Sequence, residues 1–292
     1  MTGASSSPPD DGMARGVPRV LEVPALASLD LEFLDHEGKP MGGRGATGFV
    51  VRDRELHPYL VTSRRAVVGG GEDAPATVLR VLMHAHGRPF GVWIAVTFRL
   101  GDEHGRPLWH GHPVHGAEVD VIALPIPQNV EEKVDLISYP VAESPFSRVD
   151  IASELFVIGF PVGFDSLRAE AAIGVWCRGT VAWPPSLDWE GLPRMLLDFR
   201  AREGQIGSPV VAYMDDVRAF TTSDGRPAEG PWWDLVGMYG GGTTSGDVNV
   251  GVVWKRSVID DIVERGLLPD GPCVPHLDEA VDWLSLAEPP QS

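Results

Sequence analysis

FRAREGQIGSPVV, residues 199–211, places Gly204 and Gly207 just ahead of Ser208-Pro209 and a β-branched run. Glycine reaches backbone angles closed to other residues, and proline fixes its own φ. The segment therefore reads as a tight turn feeding a strand. A turn of this shape holds one side chain at its apex, where a hydrolase would display a nucleophile. The apex residue is Ile206, whose side chain has no heteroatom.

Outward from that turn the chain is a series of short apolar, β-branched runs. Before it come RVLEV, SLDLEFL, ATGFVV, PYLVT, TVLRVLM, VWIAVTF and VDVIALPI, then LFVIGF, AIGVWCRGTVAW and RMLLDF. SPVVAYM, DLVGMYG and VNVGVVW follow. Runs this short, punctuated by 34 Gly and 26 Pro, point to barrels or sandwiches of antiparallel strands. A single strong helix is expected at Arg256–Gly266, where Val258, Ile259, Ile262 and Val263 share one face. Residues 1–18, rich in Ser, Pro, Gly and Asp, are expected to be disordered. Residues 126–150 lack alternation and read as a connector, and 269–292 as a tail with a short amphipathic stretch, LDEAVDWLSL.

At 292 residues the chain can bury a sizeable core. Its net charge of -17 argues against phosphate-backbone binding and against an anionic membrane surface, so neither nucleic acid nor membrane is an expected partner. Cys177 and Cys273 are too few and too far apart for a disulfide framework or zinc knuckle. They read as two free thiols in a reducing compartment in preference to a single bridge. MTGASSSPPDDGMARG has no apolar h-region, and no run nears the roughly 18 residues of a membrane span. The expected location is the cytoplasm. No phosphate-cradling glycine motif is visible, and no cofactor is expected.

Several of these runs, in order, resemble the trypsin-like serine proteases, especially their bacterial, disulfide-free branch. ATGFVVRD is similar to the family's Gly-Thr-Gly-Phe strand, and PYLVTSRRAVV to the segment that ends in its catalytic histidine. EVDVIALPIP resembles the strand bearing its aspartate, LFVIGFPVGF its Val-Gly-Tyr-Pro strand, and GQIGSPVV its Gly-x-Ser-Gly-Ser-Pro turn. DLVGMYGG with VNVGVVWKRSVIDDIV resembles the closing strands and C-terminal helix. The resemblance spans residues 25–267 and implies an all-β fold of two six-stranded antiparallel barrels with a site between them. The first barrel would take residues 19–125, the second barrel and helix 151–268.

That family's chemistry needs a serine hydroxyl, an imidazole that takes its proton, and a carboxylate that fixes the imidazole. By resemblance the three positions are Ala66, Asp120 and Ile206. Alanine cannot act as a general base, and isoleucine cannot form an acyl-enzyme. Loss of either key member costs on the order of 10⁶-fold in rate. Ser208 is a candidate rescue nucleophile if the chain is extended there and it shares a face with Ile206. A substitute imidazole would have to come from elsewhere in the chain, such as His57 or His112. Asp120, in an apolar strand, must find other donors, for which Thr62, Ser63, Arg64, Arg65 or backbone amides are placed.

The oxyanion loop, Gly204, Gln205 and Ile206, works through backbone N–H groups and survives loss of the side chain at 206. Arg200 would resemble the floor of the specificity pocket, or be an exposed strand residue. EHGRPLWHGHPVHG, with His104, His110, His112 and His115, reads as a partly exposed loop in preference to a metal site.

The resemblance thus implies a pseudoprotease that binds a protein or extended peptide in the inter-barrel cleft. The alternative is an active serine peptidase using Ser208, or one whose site a partner completes. Position 66 could also be an engineered knock-out, although that leaves Ile206 unexplained. A structural module using Trp232, Trp233 and the loops around Pro184 and Pro231 is a further reading, but those tryptophans read better as packing residues.

Overall fold

The computed structural model describes residues 23–69, 75–89, 91–139, 149–163, 172–200, 202–214, 231–243 and 250–269. The expected N-terminal segment, Cys273 and the LDEAVDWLSL stretch lie outside them. The first half begins with a short helix, α1 (Val23–Ala27), then β1 (Ser28–Leu34), β2 (Pro40–Arg52) and β3 (Pro58–Thr62). Helix α2 (Arg64–Val68), β4 (Val78–His84), β5 (Trp93–Arg99) and β6 (Ile122–Pro125) complete it. The connector holds α3 (Gln128–Glu131) and β7 (Ser138–Tyr139). The second half comprises β8 (Glu154–Gly159), β9 (Val175–Val181), β10 (Arg194–Asp198), β11 (Pro209–Met214), β12 (Trp232–Gly242) and β13 (Val250–Lys255), closed by α4 (Arg256–Arg265).

Alternation in the sequence becomes alternation in space. In β1, Leu29, Leu31 and Phe33 are buried and Asp30 faces out. Glu32 pairs across the ladder with Arg80 of β4, Nε donating to Oε2 at 2.6 Å. The first sheet runs β5-β4-β1-β2-β3-β6, with β7 parallel to β2. The second half is a closed barrel, β10-β13-β12-β11-β8-β9.

The fold is all-β, as expected, with one correction. The first half is an open half-barrel sheet, because its end strands β5 and β6 share no ladder. Between them, residues 100–121 make only isolated bridges, such as Gly101 with Pro107 and His110 with Ala123. The connector is not featureless either, since β7 joins the sheet through Val50–Ser138 and Val51–Tyr139.

Each half has its own core, Phe33, Leu60, Leu79 and Trp109 in the sheet and Leu155, Leu197, Val210 and Val253 in the barrel. A third cluster spans them, joining Phe49, Val61 and Tyr139 to Met238, Trp254 and the apolar face of α4. α4 follows the periodicity read from the sequence, with Val258, Ile259, Ile262 and Val263 all buried. Arg256 at its start donates from Nη1 to Asp234 Oδ1 at 3.0 Å, both side chains being buried. Burying such a pair is tolerable only because each charge finds the other.

Candidate functional site

β3 ends at Thr62, and Ser63 caps α2, its hydroxyl accepting the N–H of Ala66 at 3.4 Å. This cap turns the chain so that Arg65 reaches the second half, while Ala66 packs against the core of the first sheet. Asp120, just before β6, is 9% exposed and fully engaged. Ser63 Oγ donates to its Oδ2 at 2.9 Å, the Arg65 N–H to Oδ1 at 2.7 Å, and Arg65 Nε to Oδ2 at 2.9 Å. The donors expected from the sequence thus resolve to Ser63 and Arg65. Thr62 is used elsewhere, donating to the Thr47 carbonyl at 2.9 Å. Arg64 reaches Asp120 only through its backbone N–H, at 3.4 Å to the carbonyl.

Arg65 does more than neutralise Asp120. Its Nη2 also donates to the Gly240 carbonyl of β12, so one guanidinium ties the sheet to the barrel across the site. The sequence named Arg65 only as one of several possible partners, and its reach to β12 was not legible there. A Cβ added at Gly241 would lie 3.1 Å from Arg65 Nη2 and 3.7 Å from Ile206 Cδ1, so both side chains converge on that glycine.

The 203–208 segment is a turn, as expected, and two glycines are obligatory in it. Gly204 has φ +84° and Gly207 φ +87°. A Cβ at Gly207 would lie 2.1 Å from the Thr47 carbonyl oxygen, and one at Gly204 2.3 Å from that of Phe160. Thr47 fastens the turn to the sheet, its N–H donating to the Ile206 carbonyl and its Oγ1 to the Gly204 carbonyl, both at 2.9 Å. The N–H groups of Gly204 and Ile206 meet no acceptor among the described residues, so two backbone donors of the loop stay open.

Ser208 does not share a face with Ile206, correcting the extended-strand expectation. The chain reverses at Gly207, and Ser208 is wholly buried against Gly159, its hydroxyl without a hydrogen-bond partner. Gln205 is also wholly buried, its amide unpartnered. The two proposed substitute imidazoles are committed elsewhere. His57 is exposed and bonds through Nδ1 to Asp53 at 3.1 Å, and His112 Nδ1 accepts the N–H groups of Val114 and His115. Burial lowers the pKa of His110 and, with the neighbouring His115, that of His112. Arg200 is exposed just beyond β10, which is the simpler of its two readings. Trp233 is spent on packing, edge-on to Tyr139 with ring centroids 5.4 Å apart.

Between the halves lies a cleft of about 620 Å³, lined among others by Arg65, Asp120, Trp189, Arg194, Gly240 and Trp254. Arg194 is fixed by Glu190 and the Trp189 carbonyl and lies 5.6 Å from the Trp254 ring centre. The ladder of β12 with β11 stops at Met238, Tyr239 still bonds to Gly207 and Ser208, and Arg65 takes the Gly240 carbonyl. Among the described residues the open main-chain edge of β12 at the cleft is therefore Gly241–Gly242. Such an edge can pair with an extended chain. No helix among the described residues is long and apolar enough to cross a membrane.

No protein-family model matches this chain, and no curated protein matches it. Among solved structures it is similar to the Rv3671c protease from M. tuberculosis in its active form. Identity is 15% over 87% of this chain and 88% of that one, with a TM-score of 0.46. Two inactive-form structures of that protease, one a serine-to-alanine mutant, each give a TM-score of 0.41 at 14% identity. They cover 83% of this chain and 87% and 89% of theirs. The class of this chain rests on its own topology, a closed six-stranded antiparallel barrel beside a half-barrel sheet with a C-terminal helix.

Proposed function

We propose that this chain is a trypsin-like domain without protease chemistry, which binds an extended peptide or protein segment in the cleft between its halves. The observation that carries the reading is the position of Arg65. The carboxylate oxygen that would orient an imidazole already accepts from Arg65 Nε and Ser63 Oγ. Position 66 carries a methyl group, and the apex of the turn carries Ile206. General-base and nucleophile functions are both missing from the places that the resemblance assigns to them. Main-chain pairing at the open β12 edge needs neither. The serine-peptidase alternative through Ser208 is disfavoured by that hydroxyl's burial and by its having no hydrogen-bond partner to take its proton among the described residues.

A fluorophosphonate probe, which labels activated serines, is expected to leave the purified protein unmodified. Labelling of any serine in the folded chain would overturn the reading. Reversion sharpens the test. Ala66→His with Ile206→Ser is expected to remain unlabelled, because the side chain at 66 packs against the first sheet's core and Arg65 still occupies Asp120. Arg65→His with Ile206→Ser places an imidazole where the guanidinium now meets Asp120, and that variant is expected to gain labelling.

A further inference from the structure

The cleft carries three arginines and three carboxylates along its walls: Arg64, Arg65 and Arg194, Glu118, Asp120 and Glu190. Arg65 is satisfied by Asp120, and Arg194 by Glu190. Two charges are left over. The half-buried Arg64 guanidinium and the exposed Glu118 carboxylate have neither an ion pair nor a side-chain hydrogen bond among the described residues. Arg64 also borders a second groove of about 400 Å³, lined by Trp109, His112, Val114 and Leu267. Arg64 thus borders both grooves, on the route of any chain running through the two.

We infer, on the basis of the peptide-binding reading above, that the cleft selects an extended peptide carrying one acidic and one basic side chain. The acidic group would meet Arg64 and the basic group Glu118. Three features support this. The paired charges already satisfy one another, so they add no preference for either sign. A guanidinium presents a planar fork of donors matched to a carboxylate. The net charge of -17 opposes approach of a purely acidic peptide, whereas a charge-balanced one avoids that repulsion. The end of β12 at Gly241–Gly242 offers main-chain groups to the peptide, and the two unpaired charges read its side chains.

Fluorescein-labelled hexapeptide pools provide the test, each fixed to contain Glu plus Lys, Glu plus Gln, Lys plus Gln, or two Gln, at otherwise random neutral positions. In anisotropy titrations at low salt, the Glu-plus-Lys pool is expected to bind at least about five-fold more tightly than the two-Gln pool, the size of one exposed charge pair. Arg64→Gln should abolish the advantage of pools containing Glu. Glu118→Gln should abolish that of pools containing Lys, and Arg64→Glu should invert the preference at its site. Glu118 is exposed and Arg64 half-buried, and unchanged melting temperatures would show that the variants fold. Equal binding of all pools would overturn the charge selection and leave peptide binding standing. Failure of every pool to bind would overturn the peptide-binding reading itself.

Discussion

Arg65 illustrates how one residue can redefine a site. In a carboxylate-imidazole-hydroxyl device, the acid's role is to hold a neighbouring ring. Here the acid holds a guanidinium supplied by Arg65, the residue just before Ala66, and that guanidinium reaches the facing strand at Gly240. A histidine at position 66 alone would therefore start from a site packed against the first core, beside an acid already in use. Gly207 makes a second point at this scale. A side chain there would be strained at φ +87° and would collide with the Thr47 carbonyl. Gly207→Ala is expected to cost at least about 2 kcal/mol, read as a fall in the urea-unfolding midpoint at unchanged slope. A neutral outcome would mean that the turn relaxes freely. The turn is thus kept by packing, whether or not it presents a nucleophile.

At the scale of elements, two contacts decide what stays in place. α4 is attached to β12 by Arg256 and Asp234, both buried. Asp234→Ala leaves a buried guanidinium short of its main charge partner, and is expected to destabilise the fold by about 3–5 kcal/mol in thermal melts. A loss under about 1 kcal/mol would show that water reaches the pair. The β4–β5 turn is tied to the connector by Asp135, which accepts from His84 Nδ1 at 3.0 Å and His86 Nδ1 at 2.7 Å. Hydrogen bonds from His86 and His84 hold the Asp135 carboxyl below its usual range. An acid whose folded pKa lies below its unfolded value stabilises the fold above about pH 4, and that support fades as pH falls through the folded value. Asp135→Asn is accordingly expected to flatten the acid limb of stability against pH in urea titrations. An unaltered limb would assign acid sensitivity to other carboxylates.

For the whole molecule, the shared cluster matters most. Phe49, Val61 and Tyr139 of the first half pack with Met238, Trp254 and α4 of the second, so neither half has an apolar surface of its own at that face. The chain is expected to unfold in one cooperative transition, with calorimetric and van't Hoff enthalpies equal. Two resolved peaks would mean that the halves are held together more weakly than this core implies.

The sequence by itself determined the strands, because a side chain's inward or outward direction follows the alternation of apolar residues. β1, β3 and the helical face of α4 sit where periodicity placed them. It also determined that positions 66 and 206 carry no reactive group, which is a property of the residue type alone. Only the tertiary structure decided what replaced them. The choice of Ser63 and Arg65 over Thr62 and Arg64 depends on where the Ser63 cap turns the chain. Burial of Ser208 depends on the reversal at Gly207, and the open first sheet on β5 and β6 failing to meet. These are contacts between residues far apart in the chain, set by how strands stack and close, and no local pattern of residues encodes them.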